Sequence, residues 1–280
     1  MFETDNEVLE WYERQPRALT KEYVANIRWN EIKDHPLDPA FVPVLVYMRD
    51  VEYFTDLYYR ELRRTPTGKD PVIRKFMDRW SVEELQHADL LNRFLEEAGV
   101  RSRDWRVEAT RRIPRLYLLG SYVIHHATRP FGGYFHGAHM VWGAINEISA
   151  MQGYRRLSDL AGHPVLTELL MGIVREESIH SSFYWNLARV KLSQAKFSRD
   201  LARFIVGNFW SPVGEGAKPQ SEANYVMATL FAGEEGLKLF EQKVAKRIER
   251  LPGFSGFKGL TERVAPIVRL SSPLTAVATP

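Results

Sequence analysis

Two stretches of this chain place a glutamate and a histidine three residues apart, Glu84 with His87 in WSVEELQHADLL and Glu177 with His180 in VREESIHSSF. On a helix that spacing stacks the carboxylate and the imidazole on one face, where both can grip one metal ion. A separate glutamate precedes each pair on another predicted helix, Glu52 for the first and Glu147 for the second. Four glutamates and two histidines make the ligand list of a dinuclear carboxylate site built inside a four-helix bundle, which makes two iron ions per chain the expected cofactor. The chain has no cysteine, so oxygen and nitrogen ligands are the only route to a metal centre.

Spacing supports the set. Fourteen residues separate Glu52 from Pro66, and thirteen separate Pro71 from Glu84. In an antiparallel helix pair joined by a short turn, equal arms bring the two carboxylates to one height. The second half repeats the layout, with fifteen residues from Glu147 to Gly162 and thirteen from Pro164 to Glu177. Phase agrees with height. Phe41, Leu45, Met48, Glu52, Thr55, Tyr59 and Leu62 follow at steps of four and three, the spacing of a packing seam. The runs Ile73 to Ala98 and Leu166 to Leu187 carry their Glu and His mid-seam in the same way. An unpaired carboxylate or imidazole there would cost several kcal/mol, which shared cations relieve. The run around Glu147 is less regular, and its Gly143 leaves room for a ligand or a close helix.

The bundle helices are therefore expected at about 40–64, 71–98, 134–161 and 164–194, with a long crossover at 100–130 carrying a helix from Ile113 to Ala127. Residues 5–28 read as helix broken near Pro16, with Trp11, Tyr12, Tyr23 and Trp29 packed on the outside of the bundle. Further helices are expected at 197–208 and 221–249, followed by a loosely held tail at 252–280. No strand pattern persists, so the fold class is all-α: one ferritin-like domain over residues 1–280, with a bundle core at about 40–194 and flanking helices. His125, His126, His136 and His139 form no complete ligand set and read as packing or surface residues.

Hydrophobic residues at 45% and charged residues at 26% suit a globular chain, and a net charge of +3 is too mild to argue for nucleic acid. The polar start, MFETDNEVLEWYERQPR, and an apolar run no longer than Phe41 to Met48 leave no signal peptide or membrane span to propose. A cytoplasmic protein is expected. Basic residues gather around the first bundle turn, from Arg60 to Lys75, and after the second bundle helix, from Arg101 to Arg115. Either group would attract an acidic partner, although Glu61, Asp70 and Glu108 among them also fit an ordinary mixed-charge surface.

With these residues in view, the chain resembles the soluble acyl-[acyl-carrier-protein] desaturases over roughly residues 25–190, most closely at WSVEELQHADLLNRFL. The resemblance implies Glu52, Glu84, His87, Glu147, Glu177 and His180 as iron ligands. It implies Trp29 in an outer-shell path to the metal and Glu176 as the partner of a ligand histidine. It also implies an acyl carrier protein and an external ferredoxin or reductase as partners, and a homodimer. The chain departs from the family at Ala150, three residues after Glu147, where the desaturases carry a threonine near bound dioxygen. The resemblance implies an oxygen-dependent desaturase of a carrier-bound fatty acyl chain held in a long apolar tunnel. Two alternatives remain open: a hydroxylase or other oxygenase on a different substrate, which Ala150 keeps open, and a ferritin-type ferroxidase using the same ligands.

Overall fold

Punctuation in the sequence sets the helix ends of the computed structural model, which describes residues 2–269. Ahead of the bundle lie α1 (Asp5–Glu13) and α2 (Lys21–Asn26). The first bundle helix is made of α3 (Val42–Tyr53) and α4 (Thr55–Leu62). The second, α5 (Pro71–Glu97), starts where Asp70 accepts from the backbone N–H groups of Val72 and Ile73, with proline at the first helical position. The crossover holds α6 (Trp105–Arg111) and α7 (Arg115–Thr128). The third bundle helix, α8 (Tyr134–Ala161), stops at Gly162, whose φ of 58° is the left-handed conformation that glycine adopts at least cost. His163 then accepts from Leu166 N–H and Pro164 opens the fourth, α9 (Pro164–Gln194). After it come α10 (Lys196–Phe209), α11 (Gln220–Leu230), α12 (Gly233–Phe240), a π-helical turn at Glu241–Ala245, α13 (Lys246–Glu249) and α14 (Gly259–Arg269).

The protein is an all-α helical bundle, about 78% helical with no strand among the described residues. The seams face inward as expected. Ile73, Met77, Leu91 and Phe94 of α5 and Leu166, Leu170, Ile173 and Leu187 of α9 are fully buried. The closest helix pairing is α8 with α9, and α3 lies against α5, so each half of the bundle is an antiparallel hairpin carrying half of the predicted ligands.

Four expectations need correction. The helix expected over 40–64 is broken at Phe54, immediately after the turn that carries Glu52. Residues 5–28 are helical with the expected break around Pro16, but Tyr12 and Trp29 lie in the core, not on the outside. The helix expected over 221–249 is interrupted near Phe231 and again by the π-helical turn. The tail is not loose as far as Arg269: Leu260, Val264 and Val268, four residues apart, bury one face of α14 against α11 and α12. Pro266 within this helix hid the pattern. Residues 270–280 lie outside the described residues.

The room left by Gly143 is taken up by α9. A Cβ at Gly143 would lie 2.2 Å from the ring of Tyr184, which is itself buried and stacked edge-on against Phe76 and Trp80. Gly143→Ala is therefore expected to destabilise the fold by about 1–3 kcal/mol through overpacking, outweighing the roughly 1 kcal/mol that alanine gains in helix propensity. Chemical denaturation of the two proteins tests this, and a variant as stable as the parent or more so would contradict it.

Candidate metal centre

The six predicted ligands come from four helices and meet in the middle of the bundle: Glu52 from α3, Glu84 and His87 from α5, Glu147 from α8, Glu177 and His180 from α9. They form two overlapping groups, Glu52, Glu84, His87 and Glu177 in one, and Glu84, Glu147, Glu177 and His180 in the other. Within each group the ligand atoms lie within 4.8 Å of one another. Glu84 and Glu177 belong to both groups, so each could serve either of two bound cations. All six residues are buried, both histidines completely.

Several polar atoms at the centre are left unsatisfied. Glu84 Oε1, both carboxylate oxygens of Glu177, His87 Nδ1 and His180 Nδ1 are buried and make no hydrogen bond. They are nevertheless close together, with His87 Nδ1 3.2 Å from Glu177 Oε1 and His180 Nδ1 3.0 Å from Glu84 Oε1. Two ligands set at right angles, each about 2.1 Å from a shared ion, are about 3.0 Å apart. Cations placed between them would satisfy buried acceptors orphaned at that separation. The donor set, four carboxylates and two imidazoles without thiolate, suits iron or manganese.

What surrounds the ligands fixes their direction. His87 Nε2 lies 2.9 Å from Glu176 Oε2, and His180 Nε2 lies 2.8 Å from Glu83 Oε2. With the Nε2 proton given to a carboxylate, each ring turns its Nδ1 lone pair to the centre. The brace is reciprocal: the glutamate preceding each Glu-x-x-His motif holds the histidine of the other. Glu176 was expected from the resemblance, whereas Glu83 was missed. The doubled pattern Glu-Glu-x-x-His, at Glu83 and again at Glu176, was the signal for it.

The N-terminal segment closes this outer layer. Glu176 Oε1 accepts from the backbone N–H groups of Ala18 and Leu19, and Glu83 pairs with Arg79 at 2.8 Å and Arg17 at 3.3 Å. Trp29 is not part of it. Its indole N–H donates to the Val24 carbonyl and its ring lies under Arg93, so the hydrogen-bonded path from His87 runs through Glu176 to the backbone at Ala18 and Leu19. The two lone glutamates have aromatic donors instead: Trp80 Nε1 donates to Glu147 Oε1 at 3.1 Å, and the Tyr154 hydroxyl donates to Glu52 Oε1. His136, outside the centre, pairs with Asp70.

Crowding so many acids in a dry interior moves their protons. Burial, reinforced by the charge of Glu84, pushes the Glu52 carboxyl up to about 8, and burial with the Glu177 and Glu84 charges raises Glu147 well above the carboxylate range. Burial alone would lower the two imidazoles. The surrounding carboxylates, Glu176 first for His87 and Glu177 first for His180, override it and raise both well above their ordinary value. Glu83 is held down to about 2 against the effect of burial by His180 and Arg79.

An apolar pocket adjoins the centre on the Glu52 side. Glu52, Tyr154 and Ala150 line it from the bundle, and the chain between Trp210 and Phe240 supplies the opposite wall. That wall is fastened to α3 by a buried charge network. Lys218 Nζ lies 2.7 Å from Asp50 and 2.8 Å from Glu222, Asp50 also pairs with Arg49, and the Tyr47 hydroxyl donates to the Val213 carbonyl. The pocket volume is about 70 Å³, far less than the long acyl chain of the expected tunnel would fill.

In comparisons with known proteins, the chain matches no family model and no curated protein.

Two outcomes are expected. Glu83→Gln and Glu176→Gln should each weaken divalent metal binding by about 10–100-fold, the usual cost of losing a histidine's outer partner, measured by metal titration of the folded variants. Unchanged affinity would remove the brace from the account. Second, the stabilisation by metal should grow with pH. Glu52 and both imidazoles hold protons in the metal-free fold that the unfolded chain releases, so metal-free stability falls as pH rises from about 6 to about 8. Metal needs those groups deprotonated and binds more tightly over the same range. The Tm difference between loaded and metal-free protein should therefore widen, and a constant or shrinking difference would contradict this.

Proposed function

We propose that the protein is an oxygen-dependent oxidoreductase that holds two iron ions and removes hydrogen from an apolar group beside Glu52. The observation that carries this reading is the set of buried, unpartnered ligand atoms on two cross-braced Glu-x-x-His motifs. Iron bound there would supply electrons to dioxygen and the oxidising power to attack an unactivated C–H bond.

The chain's own contribution is positional. Glu83 and Glu176 keep both imidazoles in the tautomer that can ligate, and Tyr154 and Trp80 hold the lone carboxylates in place. The pocket wall keeps bulk water from the Glu52 side of the centre, where a substrate C–H bond would lie. In line with the resemblance, the substrate class is an acyl group delivered on an acidic carrier, with electrons from an external ferredoxin or reductase. The exposed guanidiniums of Arg60 and Arg64 lie on a face such a carrier could approach, although each is paired with an acid of α4. Oxidation of a more compact substrate is a second reading, favoured by the small volume of the pocket and by Ala150 in its lining.

Iron storage with the same ligands is less well supported. A storage shell needs free bundle faces for many copies to close upon, whereas α10 covers α8 and α9 and α11 lies on α3. Anaerobic ferrous titration followed by admission of air tests both points. Uptake should stop near two irons per chain, and reduced, loaded protein should consume oxygen and oxidise a member of a panel of acyl-carrier substrates, read by mass spectrometry. Uptake of tens of irons into a large particle would replace this reading with storage, and oxygen consumption without any oxidised organic product would remove the substrate from it.

A further inference from the structure

The pocket beside Glu52 contains one polar group without an occupation. Ser149 lines it, and its Oγ is buried and makes no hydrogen bond. A serine or threonine inside a helix ordinarily returns its hydroxyl to a carbonyl three or four residues back. Ser181, Ser182, Ser193 and Thr229 all do so in this protein. Ser149 does not, and a buried hydroxyl with nothing to bond is costly unless a ligand completes it. Thr67 and Thr261 also carry unpartnered hydroxyls, but neither lines this pocket.

Size is the second observation. At about 70 Å³ the pocket has less than half the volume of an apolar cavity of about 150 Å³ that admits benzene, which leaves room for on the order of three carbon atoms. Phe231 and Phe240, packed edge to face at 5.7 Å, stand in the wall that faces the bundle, and both are buried in the core. A long straight chain cannot enter without displacing them. The position is equally specific: Glu52 and Tyr154 line the same pocket, so whatever fills it touches the metal centre.

We propose that this pocket is the substrate site for a compact apolar group bearing one carbonyl or hydroxyl oxygen, with Ser149 as its polar anchor and Phe231 as its length stop. The proposal rests on the oxidoreductase reading for the word substrate, but the binding site itself is defined without it. The serine hydroxyl rotates, so it can donate to a carbonyl or accept from a hydroxyl, while the remaining lining offers apolar contact. The oxygen fixes which carbon of the guest is presented to Glu52, and the phenyl ring limits how much chain can follow.

The test uses the full chain, zinc-loaded, with labelled methionine methyl groups, since Met48 and Met227 line the pocket and report on it by NMR. The probes are 1-alkanols from methanol to decanol, with xenon as an apolar guest of the kind that occupies dry cavities. Affinity at these two methyls should peak near propanol and fall beyond butanol. Ser149→Ala should weaken butanol binding by about fivefold to tenfold and leave xenon unchanged, an effect of the size expected for one hydrogen bond. Phe231→Ala should move the optimum to longer alcohols. Affinity that climbs steadily to decanol in the parent, no response of either methyl, or a Ser149→Ala variant that binds butanol like the parent would each overturn the proposal. Oxygen uptake is scored separately: alcohols bound as described in a protein that never consumes oxygen would defeat the oxidoreductase reading alone.

Discussion

Four carboxylates and two imidazoles buried together need compensating positive charge, and the rest of the molecule is arranged around that requirement. Without cations the cluster holds protons where carboxylates would ordinarily be ionised, as at Glu52, and its central atoms lack partners. Two divalent ions would balance four carboxylates with both imidazoles neutral. The outer acids have partners of their own: Glu83 pairs with Arg79 and Arg17, and Glu176 accepts from two backbone N–H groups. The reciprocal brace between α5 and α9 therefore couples ligand direction to helix packing. A shift of either helix would turn a histidine away from the centre.

This constraint explains the segments outside the bundle. The N-terminal chain from Tyr12 to Leu19 is laid across the outer carboxylates, and Gln86 returns a hydrogen bond to the Leu19 carbonyl. The crossover and the chain after α9 work on the Glu52 side. Arg49 joins Asp50 to Asn92 of α5 and stacks on Trp105 of α6, while Lys218 brings the loop after α10 onto the same aspartate. A buried ion pair of this kind is a doubtful source of net stability, but removing one partner would strand a charge. Its structural result is a pocket wall held against the helix that carries Glu52.

Much of this was legible from spacing. Equal arms about Pro66 to Pro71 and about Gly162 to Pro164 gave the height of the ligands, and the three-four seam gave their direction, because both follow from helix geometry alone. Glu83 was passed over because a second glutamate beside a ligand looks like solvent-facing charge, and only the three-dimensional crossing of α5 and α9 shows what it bonds. Trp29 was misplaced for a related reason. The resemblance put it on an outer-shell path to the metal, yet the backbone bends after α2 so that its indole meets Val24 and not the ligands. The fold of 252–269 escaped because three apolar residues around a proline are a weak periodic signal until another helix covers them.

The claim on which all of this depends is that the six residues bind two metal ions as a single centre. Crystals of the full chain grown with ferrous iron under anaerobic conditions, measured on both sides of the iron absorption edge, test it directly. The account predicts two anomalous peaks per chain, one bound by His87 and Glu52 and the other by His180 and Glu147, with Glu84 and Glu177 reaching both. A loaded crystal with no anomalous peak among these residues, or with peaks held only by other groups, would contradict it.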